Sequence, residues 1–353
     1  MLGPYKVEIF SRDMQFRSAG ILADPTLQED YLTLEGTSIT VGNIALQKGD
    51  FAHVTDLYGD RIYQGIVSDI VADQGASRIK LEPLLSLLDI PVFMDREELK
   101  TRPLEEFIAD CIQATYQDSS DTLQNIPGLQ IRTTSSTQAE GLAMESNLHE
   151  LWDIATRALT LFGIVIRAEL DVQERVLSFS IGKATQQLTI ESELPNCLGK
   201  NFVLTDDYGA LNKVVYINAD DEQETAVYYL HPDGTVDSRD EDRITPVFFT
   251  MEYLQSAGDF AEEARSRAEE ELAPQVYEQL IELTYQRNDP MIQPRTLEIG
   301  TQADILYGGK VYRSILTGYE ITAGTITLIF GSIRMELTKK LILERRKRNS
   351  ADT

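Results

Sequence analysis

Apolar and polar residues alternate with period two through the first hundred positions. Val7 and Ile9 stand against Lys6 and Glu8, Ile39 and Val41 follow, and the pattern resumes at Ala52–Thr55, Ile62–Val71 and Arg78–Leu81. Successive strand side chains point to opposite faces, so this alternation predicts half-buried strands. Leu32 and Leu34 fall on even numbers, Ile39 and Val41 on odd ones, and Gly36 lies between them. A glycine at a change of parity predicts a bulge or tight turn. With a further turn at Tyr58-Gly59-Asp60, residues 1–100 are expected to form a small antiparallel barrel or sandwich.

The period then lengthens. After Pro103, residues Leu104, Phe107, Ile108, Cys111 and Ile112 recur at helical spacing. A second helix is expected from about Asn147, with Glu150 as capping-box partner. Its apolar face would carry Leu148, Leu151, Trp152, Ala155, Leu159 and Phe162, with Gly163 at its end. Strands at Leu129–Thr133, Ile164–Glu169 and Val176–Ile181 complete an expected α+β domain over 101–202. Further strands are expected at Lys213–Asn218, Ala226–Leu230 and Thr235–Val236. A third helix begins at Asp259, with Glu262 completing its capping box, and Pro274 ends it. Val276–Gln286 reads as a strand, residues 296–331 alternate again, and 338–348 reads as a basic helix.

Two stretches resemble each other. Leu57-Tyr58-Gly59-Asp60-Arg61-Ile62-Tyr63-Gln64-Gly65-Ile66-Val67 matches Leu306-Tyr307-Gly308-Gly309-Lys310-Val311-Tyr312-Arg313-Ser314-Ile315-Leu316 in residue type and order. Each has an aromatic residue before a glycine turn, then a basic residue, a second tyrosine and an apolar pair. Arg78–Leu81 falls opposite Thr325–Leu328, with a two-residue length difference between the hairpins. A match that persists through the following strand points to a duplicated unit. The chain is therefore expected to be mainly β with α+β insertions, containing two similar antiparallel β-barrels. The expected boundaries are 1–100 for the first barrel and 101–202 for an α+β domain. A discontinuous second barrel is placed at 203–250 and 293–340, interrupted by a helix-strand excursion at 251–292 and followed by a basic tail at 341–353.

Charge narrows the functional classes. The net charge is −25, with acidic runs at Asp220-Asp221-Glu222, Asp240-Glu241-Asp242 and Glu269-Glu270-Glu271. Such a surface opposes phosphate binding, which relies on Lys and Arg. It is compatible with a pore that DNA passes without adhering. The two cysteines, Cys111 and Cys197, make no disulfide framework, and Cys111 is expected to fill a helix's inner face. The three histidines, His53, His149 and His231, have no metal-ligand spacing, and no phosphate loop or nucleophile elbow occurs. No apolar run reaches the ~18 residues of a membrane helix. The N-terminus has no basic region followed by an apolar stretch, so synthesis in a cytosol is expected. These observations predict no enzyme, no cofactor and no metal. Plentiful carboxylates leave a paired-acid hydrolase as the alternative.

With the hairpins above, two other stretches resemble the central baseplate hub family of tailed bacteriophages. They are Asn212–Tyr216 with Tyr228–Gly234, and the closing Leu328–Thr338. The resemblance covers the whole chain in layout. It implies a homotrimer whose two tail-tube-like barrels per chain form a pseudo-sixfold ring. That ring would join a tail tube or distal tail protein to a spike or fibre protein and enclose a DNA channel without specific DNA binding. The hub of a related bacterial injection system is equally implied. Some relatives continue into a peptidase or fibre region. This chain stops at Thr353, so a spike or lytic enzyme is expected on another polypeptide. The expected assembly residues are Tyr58, Gly59 and Tyr63, with Tyr307, Gly308 and Tyr312 as counterparts.

Overall fold

The computed structural model describes residues 5–22, 25–42, 44–56, 58–73, 75–95, 99, 101–138, 147–203, 211–232, 235–245, 247–255, 259–272, 279–292 and 297–332. The chain starts with β1 (Tyr5–Phe10), β2 (Phe16–Leu22) and a short β3 (Leu27–Asp30). Then come β4 (Thr37–Gly42), β5 (Phe51–Thr55), β6 (Arg61–Asp73) and β7 (Ala76–Pro83). All except β3 form one antiparallel sheet in the order β2-β1-β5-β6-β7-β4. Its edge strands approach each other, and Arg17 on β2 donates to Asp50 at 2.9 Å. Val7, Ile9, Ile39, Val41, Val54, Ile79 and Leu81 fill the interior, as their alternation predicts. Gly36 is required by a close approach, because a Cβ there would lie 2.3 Å from the Leu81 carbonyl oxygen. The expected strand around Leu32–Leu34 is a turn with Leu34 at φ +51°.

A 3-10 turn of four buried leucines leads into β8 (Pro91–Met94) and α1 (Leu104–Tyr116). Next come β9 (Gln130–Thr133), β10 (Asn147–Glu150), α2 (Leu151–Phe162), β11 (Ile164–Asp171) and β12 (Val176–Lys183). β11 and β12 are antiparallel, β9 is parallel to β12, and β10 pairs with β8. The helices bury Leu104, Ile108, Ile112, Leu151, Ile154 and Leu159 against Ile166, Phe179 and Ile181 of this sheet. Gly163 ends α2 at φ +67°, as its place after the apolar stripe predicts. α2 begins four residues later than expected. Asn147–Glu150 is extended, and Leu148 is 63% exposed on a two-stranded ribbon.

β13 (Gln187–Glu191) and β14 (Cys197–Val203) follow, then β15 (Lys213–Asn218), β16 (Thr225–Leu230), β17 (Val236–Asp237), β18 (Phe249–Leu254) and α3 (Phe260–Glu271). The last strands are β19 (Leu280–Gln286), β20 (Gln302–Tyr307), β21 (Lys310–Ile321) and β22 (Thr325–Phe330). The second large sheet has the order β13-β20-β21-β22-β19-β14, with β3 added beside β21. β13 runs parallel to β20, whereas the other pairings are antiparallel.

This topology corrects the expected makeup of the second barrel. Residues 213–254 do not supply its strands. β15 to β18 form a separate sheet, ordered β17-β16-β15-β18, and α3 covers one face of it. Val214, Tyr216, Leu254, Phe260, Ala264 and Ala268 make an independent core. The Asp259 side chain accepts from the Ala261 and Glu262 N–H groups, which caps α3 as predicted. The missing barrel strands come from 187–203, expected in the α+β domain, and from β19, expected in the excursion. Alternation marks a residue's face but not the sheet its strand joins. The expected helix at 338–348 lies outside the described residues.

Candidate assembly site

β4 to β7 are consecutive in the chain and lie side by side in the order β5-β6-β7-β4. β19 to β22 repeat that arrangement as β20-β21-β22-β19. The match extends to individual residues. Between β6 and β7 the register slips at Ser68, from Val67↔Leu81 to Asp69↔Lys80. Between β21 and β22 it slips at Thr317, from Leu316↔Phe330 to Gly318↔Ile329. Each of these five positions lies 249 residues from its counterpart. Both bulge residues carry a hydroxyl. Ser68 Oγ donates to the Lys80 carbonyl and Thr317 Oγ1 to the Ile329 carbonyl, each at 3.3 Å. The interiors correspond as well. Thr37, Ile39 and Val41 lie opposite Leu81, Ile79 and Ser77, while Ile281, Leu283 and Tyr285 lie opposite Phe330, Leu328 and Ile326. All twelve side chains are buried. Bulges are built features that bend a strand at a set place, so a shared bulge is stronger evidence of duplication than shared alternation.

The register also corrects the alignment. Arg78, Ile79, Lys80 and Leu81 correspond to Thr327, Leu328, Ile329 and Phe330, not to Thr325–Leu328. A slide of two residues keeps every side chain on its own face, so the sequence pattern alone could not detect it. The two-residue length difference lies in the hairpin that joins β5 to β6 and its counterpart joining β20 to β21. β5 and β6 are joined through Asp56–Asp60, where the Tyr58 and Asp60 N–H groups donate to the Asp56 carboxylate at 2.8 and 2.9 Å. β20 and β21 are joined by Gly308-Gly309, at φ +59° and +73°. Positive φ at both central residues makes a tight two-residue hairpin, which glycine favours.

The six expected assembly residues therefore fall into different places. Tyr63 and Tyr312 correspond, paired with Val54 and Ile305. Tyr63 is buried, and Tyr312 is half-buried with its ring 5.7 Å from Phe202. Tyr58 and Gly59 do not correspond to Tyr307 and Gly308. Tyr58 sits on the loop, 93% exposed, and Gly59 beside it has φ +86°. Tyr307 ends β20, stacked 4.2 Å from Phe202, with Gly308 in the exposed turn.

The duplicated units meet at β3, which the sequence pattern did not reveal because four residues are too few to show a period. β3 leads into β4 of the first unit but pairs with Gly318–Ile321 of the second. Tyr31 follows it. The Tyr31 N–H donates to the Thr317 carbonyl at 2.8 Å, its hydroxyl accepts from the Ile166 N–H at 3.2 Å, and its ring packs 5.2 Å from Trp152. One buried tyrosine thus ties together both large sheets and the α+β unit.

Beside it lies a cavity of about 160 Å³, lined by Glu29, Arg61, Tyr63, Arg132, Arg167 and Tyr319 among others. The Tyr319 hydroxyl donates to Glu29 at 2.6 Å, and Arg61 pairs with Glu169 at 2.5 Å. Burial raises the Glu29 carboxyl above its ordinary 4.5, a shift that Tyr319 and Arg61 oppose without cancelling. A raised acid favours the protonated native state. Its stabilising contribution is full below pH 4.5 and is lost as pH rises through the shifted value. Denaturation of Glu29→Gln should show that component of the pH dependence removed. An unchanged pH profile would contradict the assignment.

Among the described residues no cluster of three His, Cys, Asp or Glu side chains could hold a metal ion. His53 bonds Gln64 at 2.9 Å and His231 bonds Asp237 at 3.0 Å. Cys111 and Cys197 are half-buried thiols, and they form no disulfide with each other. The runs Asp220–Glu222 and Asp240–Asp242 are exposed on the unit that β15 to β18 form.

No family model matches the sequence, and no curated protein matches it. Solved structures do match. A chain of the phage P2 baseplate in its activated conformation with Ca aligns over 94% of this chain and 100% of its own, with TM-score 0.56 and 13% identity. A chain of a topological model of the P2 virion baseplate, also in the activated conformation, aligns over the same shares with TM-score 0.54 and 14% identity. The 43 kDa tail protein of prophage MuSo2 from Shewanella oneidensis aligns over 93% of this chain and 98% of its own, with TM-score 0.50 and 14% identity. At these identities the likeness is one of fold. This chain thus has a mainly β fold shared with phage-baseplate and prophage-tail proteins.

Proposed function

We propose that this protein is the structural hub of a phage or phage-like tail tip. Three copies would form a pseudo-sixfold ring that joins the tail tube, or a distal tail protein, to a spike or fibre. The observation that carries this reading is the internal duplication. A threefold body can meet a sixfold partner when each chain offers two quasi-equivalent surfaces, and this chain contains the same bulged four-strand unit twice. The fold it shares with baseplate and tail components supports a structural role at the tail. The net charge of −25 suits a ring through which DNA passes without specific binding. Within the described residues no helix is long and apolar enough to cross a membrane. The domain plan that follows is two barrels flanking an α+β unit, with the sheet of 213–254 and α3 as an insertion in the second.

Sedimentation at rising concentration, alone and with the tail tube protein, tests the stoichiometry. The expected complex has three times the 39.7 kDa chain mass. A stable dimer or tetramer would contradict the proposal.

A further inference from the structure

β11 pairs with β12 along one edge, and side chains from earlier in the chain hold backbone groups on the other. The Tyr31 hydroxyl accepts from the Ile166 N–H at 3.2 Å. Further along, the Gln64 side-chain amide from β6 meets Leu170 with both its ends. Its Oε1 accepts from the Leu170 N–H at 2.9 Å, and its Nε2 donates to the Leu170 carbonyl at 2.6 Å. Gln64 and Leu170 are both buried, so opening this clasp strands backbone groups away from water.

The clasp fixes how Gln64 faces its other neighbour. A backbone N–H only donates and a carbonyl only accepts, so the two ends of this amide cannot be exchanged. The remaining Nε2 hydrogen goes to His53, whose Nδ1 lies 2.9 Å away. That nitrogen must accept, which makes His53 a neutral ring with its proton on Nε2. His53 on β5 stands between Gln64 of β6 and Glu8 of β1 in the strand register. Burial holds its pKa below the ordinary 6.5. Glu8 and Asp171, at the end of β11, pull it upward, while Arg61 and Lys6 push it further down.

A proton on Nδ1 would set donor against donor. Gln64 can accept that proton only by turning its oxygen to His53, which turns its NH₂ group onto the Leu170 N–H. We propose that His53 and Gln64 form an acid-sensitive latch, in which protonation of His53 draws Gln64 off Leu170 and loosens β6 of the first large sheet from β11 of the α+β unit. The closed latch binds the proton less well than the open one, where the ring returns to its ordinary 6.5. The latch is therefore closed above that pH and loses stability as pH falls below it. It lies within one chain, so it stands apart from the ring reading above.

Amide exchange on the full-length chain, corrected for the chemical exchange rate, tests it. Between about pH 7.5 and about pH 5, protection of the Leu170 amide should fall about tenfold, while Ile166, held by Tyr31, keeps its own. His53→Asn keeps an acceptor near the place of Nδ1 and removes the titrating group, so its Leu170 amide should stay protected at both values. An equal acid loss at Leu170 in His53→Asn, an equal loss at Ile166, or no loss in the unmodified chain overturns the latch. If His53→Asn fails to fold, the nitrogen NMR titration of the His53 ring decides in its place. A ring that takes its proton while Leu170 stays protected overturns the proposal, and one that takes it together with the loss at Leu170 supports it.

Discussion

Tyr31→Ala should destabilise the chain by about 3–5 kcal/mol, the range for emptying a large buried aromatic site. Tyr31 is 1% exposed, and its backbone and side chain contact three separate parts of the fold. The loss should therefore appear as uncoupling as well as reduced stability. Amide exchange should rise at Ile166, whose N–H would lose its hydroxyl acceptor, and along Gly318–Ile321, where β3 is anchored. Tyr31→Phe keeps the ring and removes one hydrogen bond, so it should cost about 1 kcal/mol. Equal effects of the two substitutions, measured by urea denaturation, would mean that the hydroxyl rather than the packed ring holds the junction.

Gly331→Ala should cost about 4 kcal/mol, in the range that marks a specific structural conflict. Gly331 has φ +95°, and a Cβ there would lie 1.8 Å from the Gln279 carbonyl oxygen. That oxygen belongs to backbone, so no rotamer change relieves the clash. The residue also anchors the second bulge. Its N–H donates to the Ile315 carbonyl at 2.9 Å, and its carbonyl accepts from Thr317 Oγ1 at 2.7 Å. Gly324→Ala is the control. A Cβ at Gly324 meets no atom within 4 Å, so the cost there should stay within about 0.5 kcal/mol. Similar losses at the two glycines would contradict a steric origin.

Local features of this fold were legible where a side chain meets its own neighbours in sequence. The spacing of Leu104, Phe107, Ile108 and Ile112 fixed the buried face of α1, Gly163 marked the end of α2, and Asp259 marked the start of α3. The duplication was legible through Tyr63 and Tyr312 and the apolar strands behind them. Its alignment was not, because sliding a strand by two residues leaves the pattern of faces unchanged. Leu148 fitted the helical stripe of α2 but sits on a ribbon, since spacing alone does not fix where a helix begins. The allocation of 213–254 to a separate sheet, and of 187–203 to the second barrel, depends on pairing between distant strands. So does β3, whose importance comes from Gly318–Ile321, nearly three hundred residues away.

A cryo-electron microscopy map of the assembled tail tip tests the central claim most directly. It should contain six copies of the bulged unit around one axis, with Thr37–Pro83 and Leu280–Phe330 alternating at equal radius. A map that places the two units at different radii, or about different axes, would contradict the account.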